Sequence, residues 1–310
     1  VTNRTPSPRR GMPLLDRGVG PLLILPATLL VVVFLVGPFY YMVYTALTDL
    51  SFADASHGGA FVGFDNFRKL MRNDPLFWAS FLLTLKFVII AVGLEFLLGF
   101  ALAFLIFRFV ASQRLLTTLL LIPMMIAPVA VGLIWRLLLQ GDFGMLTFYM
   151  RKVGLLAQNS AVLSAPDLVF PTIVAIDVWQ WTPFVTLIML AGMMSLPRAP
   201  FEAAMMDGAK PFQIFCDVML PLLRPVIALV LLLRGIDAFK EFDKVFLMTG
   251  GGPGTLTELV SIYAYRVNFR NWDLGYGAAV AFMIYLVVLI LCSVFYKAVY
   301  WSSRKQAASF

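Results

Sequence analysis

Histidine and cysteine are nearly missing from this chain of 310 residues, which has one of the former and two of the latter. His57 falls in a Gly-rich stretch beside Gly58 and Gly59, so no histidine-based metal cluster or triad can be built from this chain alone. Cys216 and Cys292 stand far apart and make neither a CxxC pair nor a disulfide framework. The motifs HExxH, GxSxG and GxxxxGK followed by Ser or Thr are absent, which removes the familiar routes to metal-assisted hydrolysis, serine acyl transfer and nucleotide hydrolysis. Charge is scarce as well. Only 13% of residues are charged and 61% are hydrophobic, against about 25% and about 45–50% in an ordinary soluble domain.

What fills the chain instead is long apolar runs, as expected where lipid replaces water around the outer surface. A spanning backbone must satisfy its own hydrogen bonds, leaving helices or closed barrels, and unbroken runs are not the alternation of a barrel strand. The reading is an all-α polytopic membrane protein with six spans near 19–47, 80–108, 115–140, 168–193, 226–248 and 276–300. It divides into a segment 1–18, a six-helix domain 19–300 and a tail 301–310. Arg4, Arg9, Arg10 and Arg17 before an apolar run mimic a secretory leader, but the run to Leu47 exceeds the ~7–15 residues of an h-region and no A-x-A site follows, so a retained first span is expected. Pro123 and Pro128 in the third span and Pro171 and Pro183 in the fourth should kink those helices, because proline removes a backbone donor.

The net charge of +7 is not a nucleic-acid footprint, since the basic residues are scattered at the ends of apolar runs, where they set topology. With the N-terminus inside, twelve Lys and Arg fall in the inner segments (Arg4, Arg9, Arg10, Arg17, Arg108, Arg114, Arg198, Lys210, Arg224, Lys297, Arg304 and Lys305). Seven fall in the outer loops (Arg68, Lys69, Arg72, Arg151, Lys152, Arg266 and Arg270). Both termini are therefore expected in the cytoplasm of a bacterial inner-membrane protein. Six spans without twelve-helix pseudo-symmetry suit a half-pore that dimerises better than a self-sufficient carrier.

The longest inner loop, 196–225, has legible physics. Pro200 favours a helix start, and Glu202 lies in the first turn, where a carboxylate complements the helix dipole. Ala203, Ala204, Met205 and Met206 continue a short helix through Asp207 that Gly208 can end. Pro211 should start a second short helix, with Leu220 and Pro221 ending it before the fifth span. In that span Arg234, Asp237, Glu241 and Lys244 share roughly an 80° arc at about 100° per residue, with Lys240 beside them. Asp237 lies about 16 Å deep at about 1.5 Å per residue from Val226. Ionisable groups at such depth face protein or water. Two accounts stand: this face lines a solute pathway, or it is an internal network pairing Arg234 with Asp237 and Glu241 with Lys244 at i, i+3. Lys86, Glu95, Arg136 and Asp177 are further intramembrane charges that could pair across helices, snorkel to the interface or touch solute. Trp179, Trp181 and Phe184 could stack on a solute, or serve packing or interface anchoring.

The run Glu202-Ala203-Ala204, then Gly208, then Leu220-Pro221, matches the EAA loop of ATP-binding-cassette importer permeases. Phe64-Asp65-Asn66-Phe67, Trp179-Gln180-Trp181-Thr182-Pro183-Phe184 and Lys240-Glu241-Phe242-Asp243-Lys244 leading to Gly250-Gly251-Gly252-Pro253 resemble elements of the carbohydrate-type subgroup, which imports oligosaccharides, sugar alcohols and glycerol phosphates. That resemblance, covering nearly the whole chain after residue 20, implies a type I importer fold. It implies that Glu202, Ala203, Ala204, Asp207, Gly208, Leu220 and Pro221 couple to a separate ATPase. The implied partners are a second, homologous permease subunit, two ATPase copies holding ATP and magnesium, and an extracytoplasmic solute-binding protein. This chain itself would bind no cofactor and no nucleic acid, and would not be an enzyme. A permease for a polyamine or an anionic solute, or a stand-alone carrier, is the alternative.

Overall fold

A computed structural model describes residues 15–54, 58–109 and 113–307, with side chains described over 24–54, 58–109 and 118–297. Residues 1–14, with Arg4, Arg9 and Arg10, lie outside the described residues, as do His57 and the last three residues of the tail. Helix α1 runs Leu15–Ala46, α2 Asp65–Arg72, α3 Pro75–Phe109, α4 Gln113–Met125, α5 Pro128–Leu138 and α6 Met145–Lys152. After a short 3₁₀ turn at Val162–Ser164 come α7 Pro166–Met194, α8 Ala199–Met206 and α9 Pro211–Gln213. Then α10 covers Leu220–Phe239, α11 Asp243–Thr249, α12 Val260–Phe269 and α13 Leu274–Ala307. Isolated bridges at Thr48–Phe61 and Ser51–Asp273 are the extended pairing found among the described residues. Five helical stretches are long and apolar enough to cross a membrane, and the bent pair α4–α5 makes a sixth.

The third span is thus not one rod. Its halves meet at 86°, because Pro128 has no N–H to continue α4 and forces Ala127 into extended backbone at φ −57°, ψ 138°. Pro171 and Pro183 do not interrupt α7, which is helical from Pro166 to Met194. Nor does Pro221 stop the chain before the fifth span. Residues 214–219 form a π-helical turn that joins α9 to α10, and Pro221 falls in the first turn of the new α register, where a missing N–H costs nothing. The fifth span is instead interrupted later, at Lys240–Phe242, between α10 and α11.

Helices α3 and α7 run parallel down the centre and make the closest packing in the fold. Gly99 allows it: a Cβ there would lie 2.7 Å from Val185 Cβ. Toward the α8 end, Ala103 and Ile106 of α3 meet Val185, Met189 and Met193 of α7 and Leu223 of α10. Farther along, Phe87 and Ala91 pack with Ile173, Ile176, Val131 and Val245. The short halves α5 and α11 lie against each other through Gly132, whose Cβ would meet Lys244 Cα at 3.1 Å. Helix α1 stands outside this core and packs mainly on α13.

The end opposite α8 is closed by polar clamps. Asp74 accepts the Phe77 N–H at 2.9 Å, capping α3, and its other oxygen accepts the hydroxyls of Tyr263 and Tyr276. Burial pushes the Asp74 carboxyl up, but those hydroxyls and the Phe77 and Leu76 N–H groups outweigh it and hold it below the usual carboxylate range. Lys69 lies 4.2 Å above the Tyr276 ring and 3.5 Å from Asp273.

Candidate functional site

Two regions combine the chemistry anticipated above. The first is buried where α3, α7, α10 and α11 converge. Arg234 donates to both oxygens of Glu95, Nε at 2.6 Å and Nη2 at 2.8 Å, and Nη2 reaches Asp177 at 3.2 Å. Asp177 also accepts from Lys244 Nζ, which lies 3.1 Å from Glu241. Signs alternate along the chain Glu95–Arg234–Asp177–Lys244–Glu241. Glu95, Arg234, Asp177 and Lys244 are at most about 3% exposed, so each charge is held by its neighbours rather than by solvent. Trp181 covers the network, with the Arg234 guanidinium 4.7 Å from its ring centre.

Arg234 is therefore paired across helices and not with Asp237. Asp237 bonds Lys240 at 3.3 Å instead, and both side chains are half exposed, at 51% and 55%. The arc of like position on the fifth span is split by burial into an inner brace of Arg234, Glu241 and Lys244 and an outward pair. Trp179 faces outward too, 40% exposed, in edge contact with Trp135 at 5.6 Å. Glu95 and Asp177 are the residues sequence reasoning undervalued. Each is a lone carboxylate in an apolar span, and their unfavourable solvation alone marks them as partners of buried cations. Of the other intramembrane charges, Lys86 lies over the Phe170 ring at 4.7 Å, and Arg136 donates to the Leu247 carbonyl at 3.1 Å. Gln180 donates to the Ile126 carbonyl at 3.0 Å, satisfying backbone freed at the α4–α5 break.

The second region is the knob at 196–225. Helix α8 ends with Ala209 N–H bonding Ala204 O at 3.0 Å and Gly208 N–H bonding Met205 O at 3.1 Å, the paired bonds of a Schellman stop. Gly208 has φ +74°, the left-handed backbone that disfavours a side chain. Gln213 Oε1 accepts the Lys210 N–H at 2.8 Å and starts α9. Phe201, Phe215 and Met219 anchor the knob to the apolar core, while Glu202, Ala203, Asp207 and Gly208 are exposed and Ala204 is half-buried. Met206 and Phe212 are 87% and 76% exposed, apolar groups offered at the tip. Leu220 and Pro221 lie behind, at the root of α10.

A helical bundle with broken spans, an interior ion network and an apolar-tipped knob at one end is the architecture of a membrane transport subunit. Residues 95–305 match the family of the binding-protein-dependent transport system inner membrane component, and the chain belongs to that family. It is 34% identical over 281 residues, 90% of this chain and 92% of the other, to the trehalose/maltose transport system permease protein MalF of Thermococcus litoralis. It is 35% identical over 267 residues, 86% and 85% of the two chains, to the probable ABC transporter permease protein y4oQ of Sinorhizobium fredii. The fold is that of a chain in the crystal structure of a bacterial alginate ABC transporter in complex with alginate pentasaccharide-bound periplasmic protein, with a TM-score of 0.75, 22% identity and 93% and 96% coverage. The resemblance read from the EAA loop and the carbohydrate-type motifs is borne out, and the chain is a multi-pass inner-membrane protein.

Proposed function

We propose that this chain forms half of the translocation pore of an ATP-driven importer for a sugar, sugar alcohol or sugar derivative. A homologous permease subunit completes the pore, two ATPase copies bind ATP and magnesium beneath it, and an extracytoplasmic binding protein delivers the solute. The observation that carries this reading is the knob: a rigidly capped helix whose Met206 and Phe212 project from one end of a membrane bundle. Exposed apolar side chains on a rigid, core-anchored element suit docking into a cleft. Glu202, Ala203, Ala204, Asp207 and Gly208 form the contact face, and Leu220 and Pro221 transmit its movement to α10. The knob then lies in the cytoplasm, with both termini on that side. ATP binding by the partners moves the knobs and rocks the spans between inward-facing and outward-facing states. Replacing Glu202 and Gly208 together by lysine in the assembled complex is expected to release the ATPase and abolish uptake; normal pumping by that variant would overturn the reading.

Within the bundle, the half-exposed Asp237 and Lys240 and the outward Trp179 face the solute path. Arg234, Glu241 and Lys244, under Trp181, brace it. Uptake through Asp237→Asn and Glu241→Gln complexes separates the roles. Loss of uptake in the first with an intact assembly supports the path assignment, and full uptake in both removes these carboxylates from the path.

A further inference from the structure

At the end opposite the knob, a polar cleft of about 440 Å³ opens between the end of α5, the turn after it, the Val162–Ser164 turn and the Gly-rich loop after α11. That volume is within the ~300–1,000 Å³ of small-molecule sites. Its polar wall is Arg136, Gln140, Asp142 and Ser164, with Leu139 and Pro253 among its apolar surfaces. The frame is rigid. Gly144 N–H bonds Gln140 O at 3.0 Å in a turn where a Cβ would meet that oxygen at 2.4 Å. On the other side Thr257 Oγ1 donates to Gly252 O at 2.8 Å and pins the Gly-rich loop.

The polar groups inside this frame are uncommitted. Arg136 spends one N–H on the Leu247 carbonyl. Gln140, Asp142 and Ser164 have no side-chain hydrogen bond or ion pair among the described residues. Arg136 and Asp142 carry opposite charges in one cleft yet are not paired with each other within ion-pair distance, which leaves donors and acceptors facing a shared space. Planar guanidinium, carboxylate and amide groups each bond two adjacent oxygens at once, the spacing that vicinal hydroxyls present. One cation against one anion gives the wall no net charge, so it suits a neutral polyol and not a phosphate. Trp135, next to Arg136 on α5, touches the outward Trp179, which connects the cleft to the proposed path.

We infer that this cleft is a binding site for a neutral pyranoside, engaged by Arg136, Gln140 and Asp142 before the solute reaches the interior. The inference rests on the importer reading, and its test separates the two. In the assembled importer, with Cys216 and Cys292 replaced by serine, Ser164→Cys puts a thiol on the cleft wall. Its maleimide labelling is followed without the binding protein, so that only sugar can shield it. The probes are trehalose, maltose and glycerol 3-phosphate, each also tested for ATP-dependent uptake with the binding protein present. The transported disaccharide is expected to slow labelling several-fold, and Arg136→Ala and Asp142→Asn are expected to abolish that protection. Asp142→Asn is isosteric and exposed, so it reports even if Arg136→Ala disturbs the helix end. Undiminished protection in Asp142→Asn, no protection by a disaccharide that is imported, or protection by glycerol 3-phosphate alone would overturn the site while the importer reading stands. If the assembled complex with its binding protein imports neither these three nor any other sugar, sugar alcohol or sugar derivative, the sugar-importer reading falls and takes this site with it.

Discussion

Arg234 illustrates what spacing along one helix can and cannot reveal. Helical geometry offers Asp237 as its partner at i, i+3, yet the guanidinium turns to Glu95, 139 residues away, and Asp177, 57 residues away. A buried cation needs buried acceptors, and Asp237 is half exposed. The presence of an ion network was legible in the sequence; its membership was not, because pairing across spans depends on how α3 and α7 lie. Removing one partner of such a buried set strands the rest and typically costs about 3–5 kcal/mol, whereas replacing a pair by apolar groups is often near neutral. Arg234→Met should therefore lower the thermal unfolding midpoint markedly in detergent, and adding Glu95→Leu should recover much of the loss. Asp74 gives a pH prediction at the same scale. Its carboxyl is held below the ordinary range, so the clamp is complete above the unfolded value, about pH 4, and is lost as pH falls through the lower folded value. The unfolding midpoint should drop in that acid window, and Asp74→Asn should flatten the drop.

Among the elements, hydrophobic runs marked where each span lies because a lipid-facing helix needs apolar side chains all round, but they missed that the fifth starts at Leu220 and breaks between α10 and α11. Proline was the poorer guide. Pro171 and Pro183 leave α7 continuous and Pro221 starts a helical register, while Pro128 breaks the third span outright. The difference lies in the preceding residue, since Ala127 alone is driven to extended backbone beside a free carbonyl that Gln180 can satisfy. The contact of α5 with α11 was invisible to pattern reading, because Gly132 is informative only once Lys244 is found 3.1 Å from where its Cβ would be. Gly132→Leu should wedge these halves apart and cost about 1–3 kcal/mol, measurable by thermal unfolding. Gly208→Val should strain the left-handed stop of α8 and weaken ATPase co-purification while leaving the bundle's unfolding midpoint nearly unchanged.

For the molecule as a whole, the knob and the membrane bundle are joined through Phe201, Phe215 and Met219, so under the proposed coupling a push at the tip would reach α10 and the core. Met206→Glu with Phe212→Glu should leave the chain folded and membrane-inserted but reduce ATPase co-purification and uptake together, as read by pull-down and a vesicle flux assay. The location of α1 has a different kind of consequence. It is translated long before α13, the helix it mainly leans on. During synthesis it must wait in lipid while every span between them is threaded. From Ile24 to Ala46 it has no charged residue to hide, so it can afford that solitary interval, and the bundle is sealed only when the final helix arrives.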